Sequence, residues 1–140
     1  MSGENRPSFA DGLMDEEDDE DGRVLSTIDP MQILWSGQLT KRGHQIKSWK
    51  DRYVEIRGGF FIYWRNEMES TMGNPPRGVA LIVSVAPSPS LGSEGLVLTT
   101  SWLDGMKRFY LKVQSAQDYL TSWDAMKLAG QYTKVRARES

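Results

Sequence analysis

The central part of the chain alternates between apolar and polar residues with a period of two. Successive side chains of a strand point to opposite faces of a sheet, so this pattern predicts strands with one buried face. Leu39, Val54 and Ile56 are the core residues of the first two predicted strands. The pair Gly58-Gly59 follows and favours a tight hairpin turn, because glycine accepts positive φ. The aromatic segment 60–65 is then expected to be the third strand of an antiparallel meander.

The rest of the pattern predicts three more strands separated by turns. Turn-forming residues cluster in 66–77 and in 87–93, and each cluster predicts a loop. The pair Asp104-Gly105 predicts a further turn. Short antiparallel strands with polar turns are typical of a sandwich or a barrel, so we expect a mainly β fold. The six predicted strands span residues 37–41, 50–57, 60–65, 78–86, 95–100 and 108–113.

One amphipathic helix is predicted after the strands. Ser115 followed by Asp118 is similar to a capping box, with Asp in place of the usual Glu. Apolar residues then recur at helical spacing until Gly130, which we expect to be the C-cap. A helix of about four turns is not stable alone, so it must cover an opening of the barrel. The apolar stripe consists of Ala116, Tyr119, Leu120, Trp123 and Met126.

Charge divides the chain unevenly. Residues 1–31 hold ten acidic and two basic residues, whereas residues 32–140 hold nine acidic and fifteen basic residues. The seven consecutive acids at 15–21 repel one another, and few large apolar residues accompany them, so we expect disorder there. The predicted organisation is an acidic tail at 1–31, one domain at 32–132 and a basic tail at 133–140. A domain with surplus positive charge favours phosphate-bearing partners.

Three cations are predicted to converge at one rim of this domain. Lys41 ends the first strand on the face of Leu39, while Lys50 and Arg52 begin the second strand on the face of Val54. All three side chains therefore lie on the core-facing side of the hairpin, at the same end of it. Unpaired charges are costly to bury and like charges repel, so the arrangement favours an open mouth that binds an anion. The alternative is that these three residues are ordinary solvated charges.

The sequence around these cations resembles the opening of a pleckstrin homology (PH) domain. The pattern is Gly-x-Leu-x-Lys, a short loop, and then Trp-Lys-x-Arg-Tyr-x-x-Ile, and a C-terminal helix with one Trp completes it across residues 33–131. The resemblance implies a seven-stranded barrel of two near-orthogonal antiparallel sheets, capped by the helix, with a short extra strand around 84–88. The matching residues are Gly37, Leu39, Lys41, Trp49, Lys50, Arg52, Tyr53, Ile56 and Trp123.

The resemblance also implies where a ligand would bind. PH domains that bind phosphoinositides have a Lys at the end of the first strand and Lys/Arg-x-Arg at the start of the second. Residues of the third strand resemble further head-group contacts, and basic residues flank the loop that would close over the phosphates. The expected phosphoinositide-binding residues are Lys41, Lys50, Arg52, Tyr63, Arg65, Arg42 and Lys47, and the expected membrane contact is Ile46.

The function implied is that of a non-enzymatic module that recognises phosphoinositide head groups. It would recruit its protein to the cytoplasmic face of a membrane as a monomeric domain. The alternative is a PH-like protein-interaction module with little lipid binding, which would use the acidic tail or the groove beside the helix. Nucleic acid fits less well as a partner, because the acidic tail would oppose a polyanion and no RNA-binding signature occurs.

Catalysis and metal binding have little support in the sequence. The chain has no cysteine and one histidine, His44, which argues against a zinc site and against a thiolate nucleophile. No Walker loop and no Gly-x-Ser-x-Gly motif occurs. We therefore expect no catalytic residue, no metal and no cofactor.

Overall fold

Six antiparallel strands close into a barrel, and one long helix packs on it. The computed structural model describes residues 31–43 and 48–139. The strands pair in chain order and the last pairs with the first, which confirms the predicted mainly β barrel with a C-terminal helix. The strands are β1 (Ile33–Arg42), β2 (Trp49–Arg57), β3 (Phe60–Trp64), β4 (Gly78–Pro87), β5 (Gly95–Trp102) and β6 (Gly105–Val113). The helices are α1 (Glu67–Thr71) and α2 (Ala116–Glu139), with a 3₁₀ helix at Pro89–Leu91.

Alternate positions of the strands fill the barrel with apolar side chains. Leu39, Val54 and Ile56 are fully buried, as their period-two pattern predicts. Phe61 stacks on Phe109 with 5.6 Å between the ring centroids. The interior column of each strand is therefore apolar until it approaches the end of the barrel. Other buried members of this core are Ile82, Leu96, Leu98, Leu111, Met126 and Ala129.

The strand β4 is one bent strand where the PH resemblance implied two. Its pairing with β5 shifts register between Ile82 and Ser84. A bulge of this kind lets one strand turn the corner between two packed sheets. The part up to Leu81 pairs with β3, and the strand continues to Pro87 along β5 alone. The described strands therefore number six, and the extra strand expected around 84–88 is the second half of β4.

The helix α2 continues beyond the end that the sequence predicts. Gly130 is buried within the helix, and a Cβ added there would lie 2.9 Å from the carbonyl oxygen of Val83 in β4. Glycine thus permits close approach of helix and sheet, and the prediction of a C-cap at Gly130 was wrong. Beyond it, Thr133 packs over Gly59 in the β2–β3 turn, which supports the added turns. The predicted basic tail at 133–140 is therefore helical to Glu139.

The first turns of α2 follow the sequence pattern in part. The Ser115 Oγ accepts a hydrogen bond of 3.0 Å from the backbone N–H of Asp118, as an N-cap should. Trp123 packs against the core but is only partly buried, and its ring stacks on Tyr119 with 6.2 Å between centroids. Leu120 of the predicted stripe is 58% exposed. The buried face of the helix is formed by Ser122, Ala125, Met126, Ala129 and Gly130.

The short helix α1 forms inside the segment predicted to be a loop. The Asn66 side chain accepts a hydrogen bond of 3.0 Å from the backbone N–H of Glu69. The carboxylate of Glu69 then pairs with Arg77 at 3.2 Å, which ties the helix to the start of β4. The spacing Asn66-x-x-Glu69 is a capping-box-like signal, and it could have predicted this helix.

The predicted disorder of the acidic segment concerns residues that lie outside the described part of the chain, Met31 excepted. The described chain begins beside the β2–β3 turn, where the Met31 carbonyl accepts a hydrogen bond of 3.0 Å from Arg57. Within residues 31–43 and 48–139, no helix is long and apolar enough to span a membrane.

We expect Gly130→Ala to lower the free energy of unfolding by about 1–3 kcal/mol, as overpacking does. Alanine is the better helix former by about 1 kcal/mol, so helix propensity alone predicts the opposite sign. The new methyl group would meet the Val83 carbonyl, which is backbone and cannot rotate away. Urea unfolding followed by tryptophan fluorescence measures the change.

The matched control for this prediction is Gln131→Ala, an exposed position on the same turn of α2. It should stay within about 0.5 kcal/mol of the parent, as surface substitutions usually do. A Gly130→Ala variant as stable as the parent would contradict the close approach of α2 and β4.

Candidate anion-binding site at the barrel mouth

Three turns meet at one end of the barrel, which we call the mouth. Consecutive strands are antiparallel, so alternate turns lie at the same end. These turns connect β1 to β2, β3 to β4 through residues 65–77, and β5 to β6 through residues 103–104. Interior side chains near these turns are the ones that border solvent at the mouth.

The register of the first hairpin brings the three predicted cations to one face. Lys41 lies directly opposite Lys50, and Arg52 lies opposite Leu39. Residues that face each other across an antiparallel pair project on the same side. The column that contains Leu39 and Val54 in the core therefore continues into Lys41, Lys50 and Arg52 at its end.

Lys41 is the most enclosed of these cations. Its Nζ lies over two aromatic rings, 5.0 Å from the ring centroid of Tyr63 and 4.7 Å from that of Phe109. Burial lowers the pKa of Lys41 below its ordinary value of 10.5, and the nearby charges of Arg52 and Lys107 lower the pKa further. The ring faces favour the ammonium group, whereas the two other cations oppose it.

Lys107 belongs to this cluster, although the sequence analysis did not single it out. It lies on β6 opposite Thr100, two residues before Phe109 on the same face. The sequence pattern assigned it to the turn after Asp104-Gly105, because alternation is clear only from position 108 onward. The β6 strand begins at Gly105, however, so Lys107 is already an interior-facing position near the mouth.

A cavity of about 320 Å³ lies beside the cation cluster. Binding pockets for small ligands begin at about this size. The rings of Tyr63 and Phe109, over which the Lys41 ammonium group lies, line the cavity together with Lys107, so the cavity adjoins the cluster. The Tyr63 ring lies flat over Gly78, where any Cβ would collide with it. Other lining residues include Arg77, Thr100, Trp102, Asp104, Gly105 and Lys107.

One acidic side chain borders the cavity among the described residues that line it. The Asp104 carboxylate pairs with the Lys107 ammonium group at 2.5 Å, three residues away along the chain. Both side chains are about half exposed, so solvent screens this ion pair. The mouth therefore keeps a surplus of positive charge.

The structure separates Arg42 and Arg65 from the cluster. Arg42 follows Lys41 directly, so it points to the outer face, where its guanidinium lies 4.2 Å from the ring centroid of Tyr110. Arg65 comes after the end of β3, and its backbone N–H donates to the Glu69 carboxylate at 3.2 Å. Arg65 lines a separate groove on the outer face with Asp51 and Tyr53.

The remaining predicted contacts are in the loop between β1 and β2. Ile46 and Lys47 lie outside the described residues, as does His44. Lys50 is described and exposed at the rim of the mouth. The head-group roles of Lys47 and Lys50, and the membrane role of Ile46, stay predictions.

The outer face of the same strands carries a second set of cations that contact aromatic rings. The Nζ of Lys112 lies 4.5 Å from the ring centroid of Trp49, beside the Arg42–Tyr110 pair. On the same face, the Thr40 hydroxyl donates a hydrogen bond of 3.2 Å to the Asp51 carboxylate. In the described chain, no group of three or more His, Cys, Asp or Glu side chains is placed to hold a metal.

Comparison with known proteins identifies the fold. No family model matches the sequence, and no curated protein matches it. The C-terminal PH domain of pleckstrin in complex with D-myo-Ins(1,2,3,4,5)P5 has 19% identity and a TM-score of 0.52, over 70% of this chain and 98% of that one. The PH domain of human oxysterol binding protein-related protein 11 has 18% identity and a TM-score of 0.56, over 74% and 83%.

A third solved structure has the same architecture and a different ligand. The Slm1 PH domain in complex with phosphoserine has 17% identity and a TM-score of 0.58, over 71% of this chain and 98% of that one. These likenesses show the fold: the described chain is a PH-like domain, as its first hairpin and last helix predicted. Its structural neighbours are PH domains, which are generally non-enzymatic binding modules.

We expect Arg52→Gln to raise the pKa of Lys41 toward 10.5, because it removes one of the two charges that oppose the ammonium group. Titration of the Lys41 side chain by NMR measures the pKa. Lys112→Gln, which removes a cation from the outer face, is the matched control and should leave the pKa of Lys41 unchanged.

The same prediction has a consequence for stability. The pKa of Lys41 is lower in the folded than in the unfolded state, so the unfolded state binds more protons between the two values. Stability therefore gains from Lys41 as the pH rises from its folded pKa toward 10.5. This gain should be smaller in Arg52→Gln, and an identical titration in both proteins would show that the two charges do not interact.

Proposed function

We propose that this domain is a non-enzymatic module that binds phosphoinositide head groups at the mouth and thereby recruits its protein to a membrane. The observation that carries the proposal is the position of Lys41. Its half-buried ammonium group lies close to Arg52 and Lys107, and the pKa of Lys41 is lowered as a result. A phosphate between these cations would convert mutual repulsion into attraction to a common partner.

The side chains at the mouth supply the chemistry that a phosphorylated ring requires. Arg52 offers a planar fork of donors that matches phosphate oxygens, while Lys41 and Lys107 offer strong point charges. Tyr63 and Phe109 form apolar walls, and the Tyr63 hydroxyl adds a polar group at the rim. A cavity of about 320 Å³ has room for one inositol ring with part of its phosphates.

Two neighbours add support from their ligands. The C-terminal PH domain of pleckstrin is in complex with an inositol pentakisphosphate, and the Slm1 PH domain is in complex with inositol-4-phosphate. The low identities, 19% and 16%, mean that these complexes support the ligand class and leave the contact residues to be tested. In our proposal, Lys41, Arg52 and Lys107 form the centre of the site, with Tyr63 and Lys50 at its edge. Arg42 and Arg65 lie outside it.

We expect Lys41→Gln combined with Arg52→Gln to weaken binding to vesicles that contain phosphoinositides by about tenfold or more, since charge-assisted hydrogen bonds are worth about 1.5–3 kcal/mol each. Vesicle sedimentation measures the affinity. Arg42→Gln combined with Lys112→Gln is the matched control, because it removes two cations from the outer face.

The paired variants separate a specific site from general attraction. If only net charge mattered, both double variants would lose affinity equally, and the mouth would not be the site. A loss confined to Lys41 and Arg52 supports the proposal. Titration with soluble inositol phosphates, followed by backbone amide shifts, tests the same assignment without a membrane.

Asp104→Asn should strengthen binding of inositol phosphates by about 1.4- to fivefold, the range of an exposed ion pair worth about 0.2–1 kcal/mol. The substitution releases Lys107 from its carboxylate partner while keeping the shape of the turn. Isothermal titration calorimetry measures the effect, and Asp124→Asn on the exposed face of α2 is the control of equal charge. Equal gains in both variants would show that Lys107 does not contact the ligand.

A PH-like protein-interaction module is the second candidate function. An apolar groove of about 390 Å³ runs between the last turns of α2 and strands β3 and β4, lined by residues that include Phe60, Leu81 and Tyr132. This groove matches the surface beside the helix on which that alternative depends. A module of this kind would still bind its protein partner after Lys41 and Arg52 are replaced. A module that binds head groups would no longer bind membranes after the same replacements.

A further inference from the structure

The hairpin between β5 and β6 ends in an apolar tip. Trp102 pairs with Gly105 at the last rung, and only Leu103 and Asp104 lie between them. Leu103 is 94% exposed, Met106 is 64% exposed and Trp102 is 41% exposed. Single exposed apolar residues are common on proteins, but three of them within five residues form a patch.

The turn itself does not need these apolar side chains. Gly105 has a φ of 102° and Asp104 precedes it, so these two residues supply the conformation and the polarity that a tight turn requires. Leu103 makes almost no contact with the rest of the fold, since 94% of it is exposed. A polar residue at position 103 would fold as well, so packing does not explain the leucine.

The tip lies beside the mouth. Trp102, Asp104 and Gly105 line the same cavity as Lys107. Met68 and Met72 are also exposed, but they belong to or follow α1, whose Ser70 hydroxyl donates a hydrogen bond to Glu55 on the outer face of β2. Three of the nine large apolar residues that are exposed in the described part of the chain therefore lie at this tip.

We propose that the β5–β6 tip, led by Leu103 and Met106, inserts into the acyl-chain boundary of an anionic bilayer while the mouth holds a lipid head group. This inference rests on the proposed function and identifies how the domain meets the bilayer around its ligand. Apolar side chains bordered by cations fit a surface whose anionic head groups lie above hydrocarbon.

Charge at the base of the tip supports a bilayer as the partner. Lys107 and Arg108 follow the tip directly, and Arg77, which pairs with Glu69, lines the cavity next to it. Asp104 is the one acid on the turn, and its ion pair with Lys107 offsets its charge. A protein partner would need a pocket shaped to receive the protruding Leu103, whereas a bilayer accepts a convex apolar tip of any outline.

Strand pairing and a ring contact fix the base of the tip. The strands pair up to Trp102 and Gly105, and the Trp102 ring meets the edge of Phe60 with 6.0 Å between centroids. A preorganised element loses little conformational entropy on binding. Trp102, at the base, would then lie at the depth of the head groups, where tryptophan is favoured in membrane proteins.

A single-cysteine label tests the insertion directly, because the chain contains no cysteine. Leu103→Cys is labelled with an environment-sensitive fluorophore and mixed with vesicles of phosphatidylcholine, phosphatidylserine and a phosphoinositide. The emission should rise severalfold and shift to the blue as the label leaves water. Leu120→Cys is the matched control, since Leu120 is an exposed leucine that does not line the cavity, and its emission should stay unchanged.

Affinity gives a second, independent readout. Leu103→Ser combined with Met106→Ser should weaken vesicle binding by about tenfold, or about 1.4 kcal/mol. It should leave the affinity for soluble inositol phosphates unchanged, because the mouth cations remain in place. Leu120→Ser is the control of equal chemistry and should bind vesicles as the parent does.

The outcomes distinguish the insertion from the head-group site. If the parent binds vesicles while the Leu103 label stays in water, or if the double-serine variant binds vesicles as well as the parent, the insertion is overturned and the head-group site stands. If the parent binds soluble inositol phosphates but no vesicles, the insertion is again the part that fails. If the parent binds neither, both proposals fail.

Discussion

The ammonium group of Lys41 lies where the apolar interior of the barrel meets solvent, over the rings of Tyr63 and Phe109. In an antiparallel barrel, each row of interior-facing side chains ends at an opening of the barrel. The last side chain of such a row must therefore tolerate both the apolar interior and solvent. Lys41 does so by holding its ammonium group over the faces of the two rings. The charges of Arg52 on β2 and Lys107 on β6 are near enough to lower the pKa of Lys41, after the larger effect of burial. The charge density of the mouth is thus a consequence of barrel closure.

Local pattern was enough to predict the first hairpin and its cations. Lys41, Lys50 and Arg52 are separated by short stretches of chain, so period-two alternation and one turn fix their common face. Lys107 and the cavity depend on how β6 meets β5 across the barrel, and no local pattern contains that pairing. The same alternation places Arg42 on the opposite face from Lys41, so the sequence already argued against Arg42 as a partner of the cluster.

Glycine positions show most clearly which structural constraints cannot be predicted from a single sequence. After a helical apolar stripe, a glycine such as Gly130 predicts a C-cap by every local rule. Its actual constraint is the backbone of Val83, about fifty residues earlier in the chain, which lies too close for any Cβ. The register shift in β4 between Ile82 and Ser84 is a similar case, because it depends on the closure of the barrel. Both features depend on contacts between distant parts of the chain, and neither changes which residues form the mouth.

Under the proposed function, interactions of three ranges would contribute to binding a charged surface. The surplus of positive charge after residue 31 acts at long range, but salt screens it within about 8 Å at physiological ionic strength. It can therefore steer the domain toward an anionic surface without choosing among ligands. Choice requires charges held in fixed geometry and partly desolvated, and in the described chain Lys41 meets that condition through its two rings. In the proposed complex, contact at the shortest range would be made by the side chains that protrude beyond the mouth, because a lipid head group could enter the cavity only if the rim also lay against the bilayer.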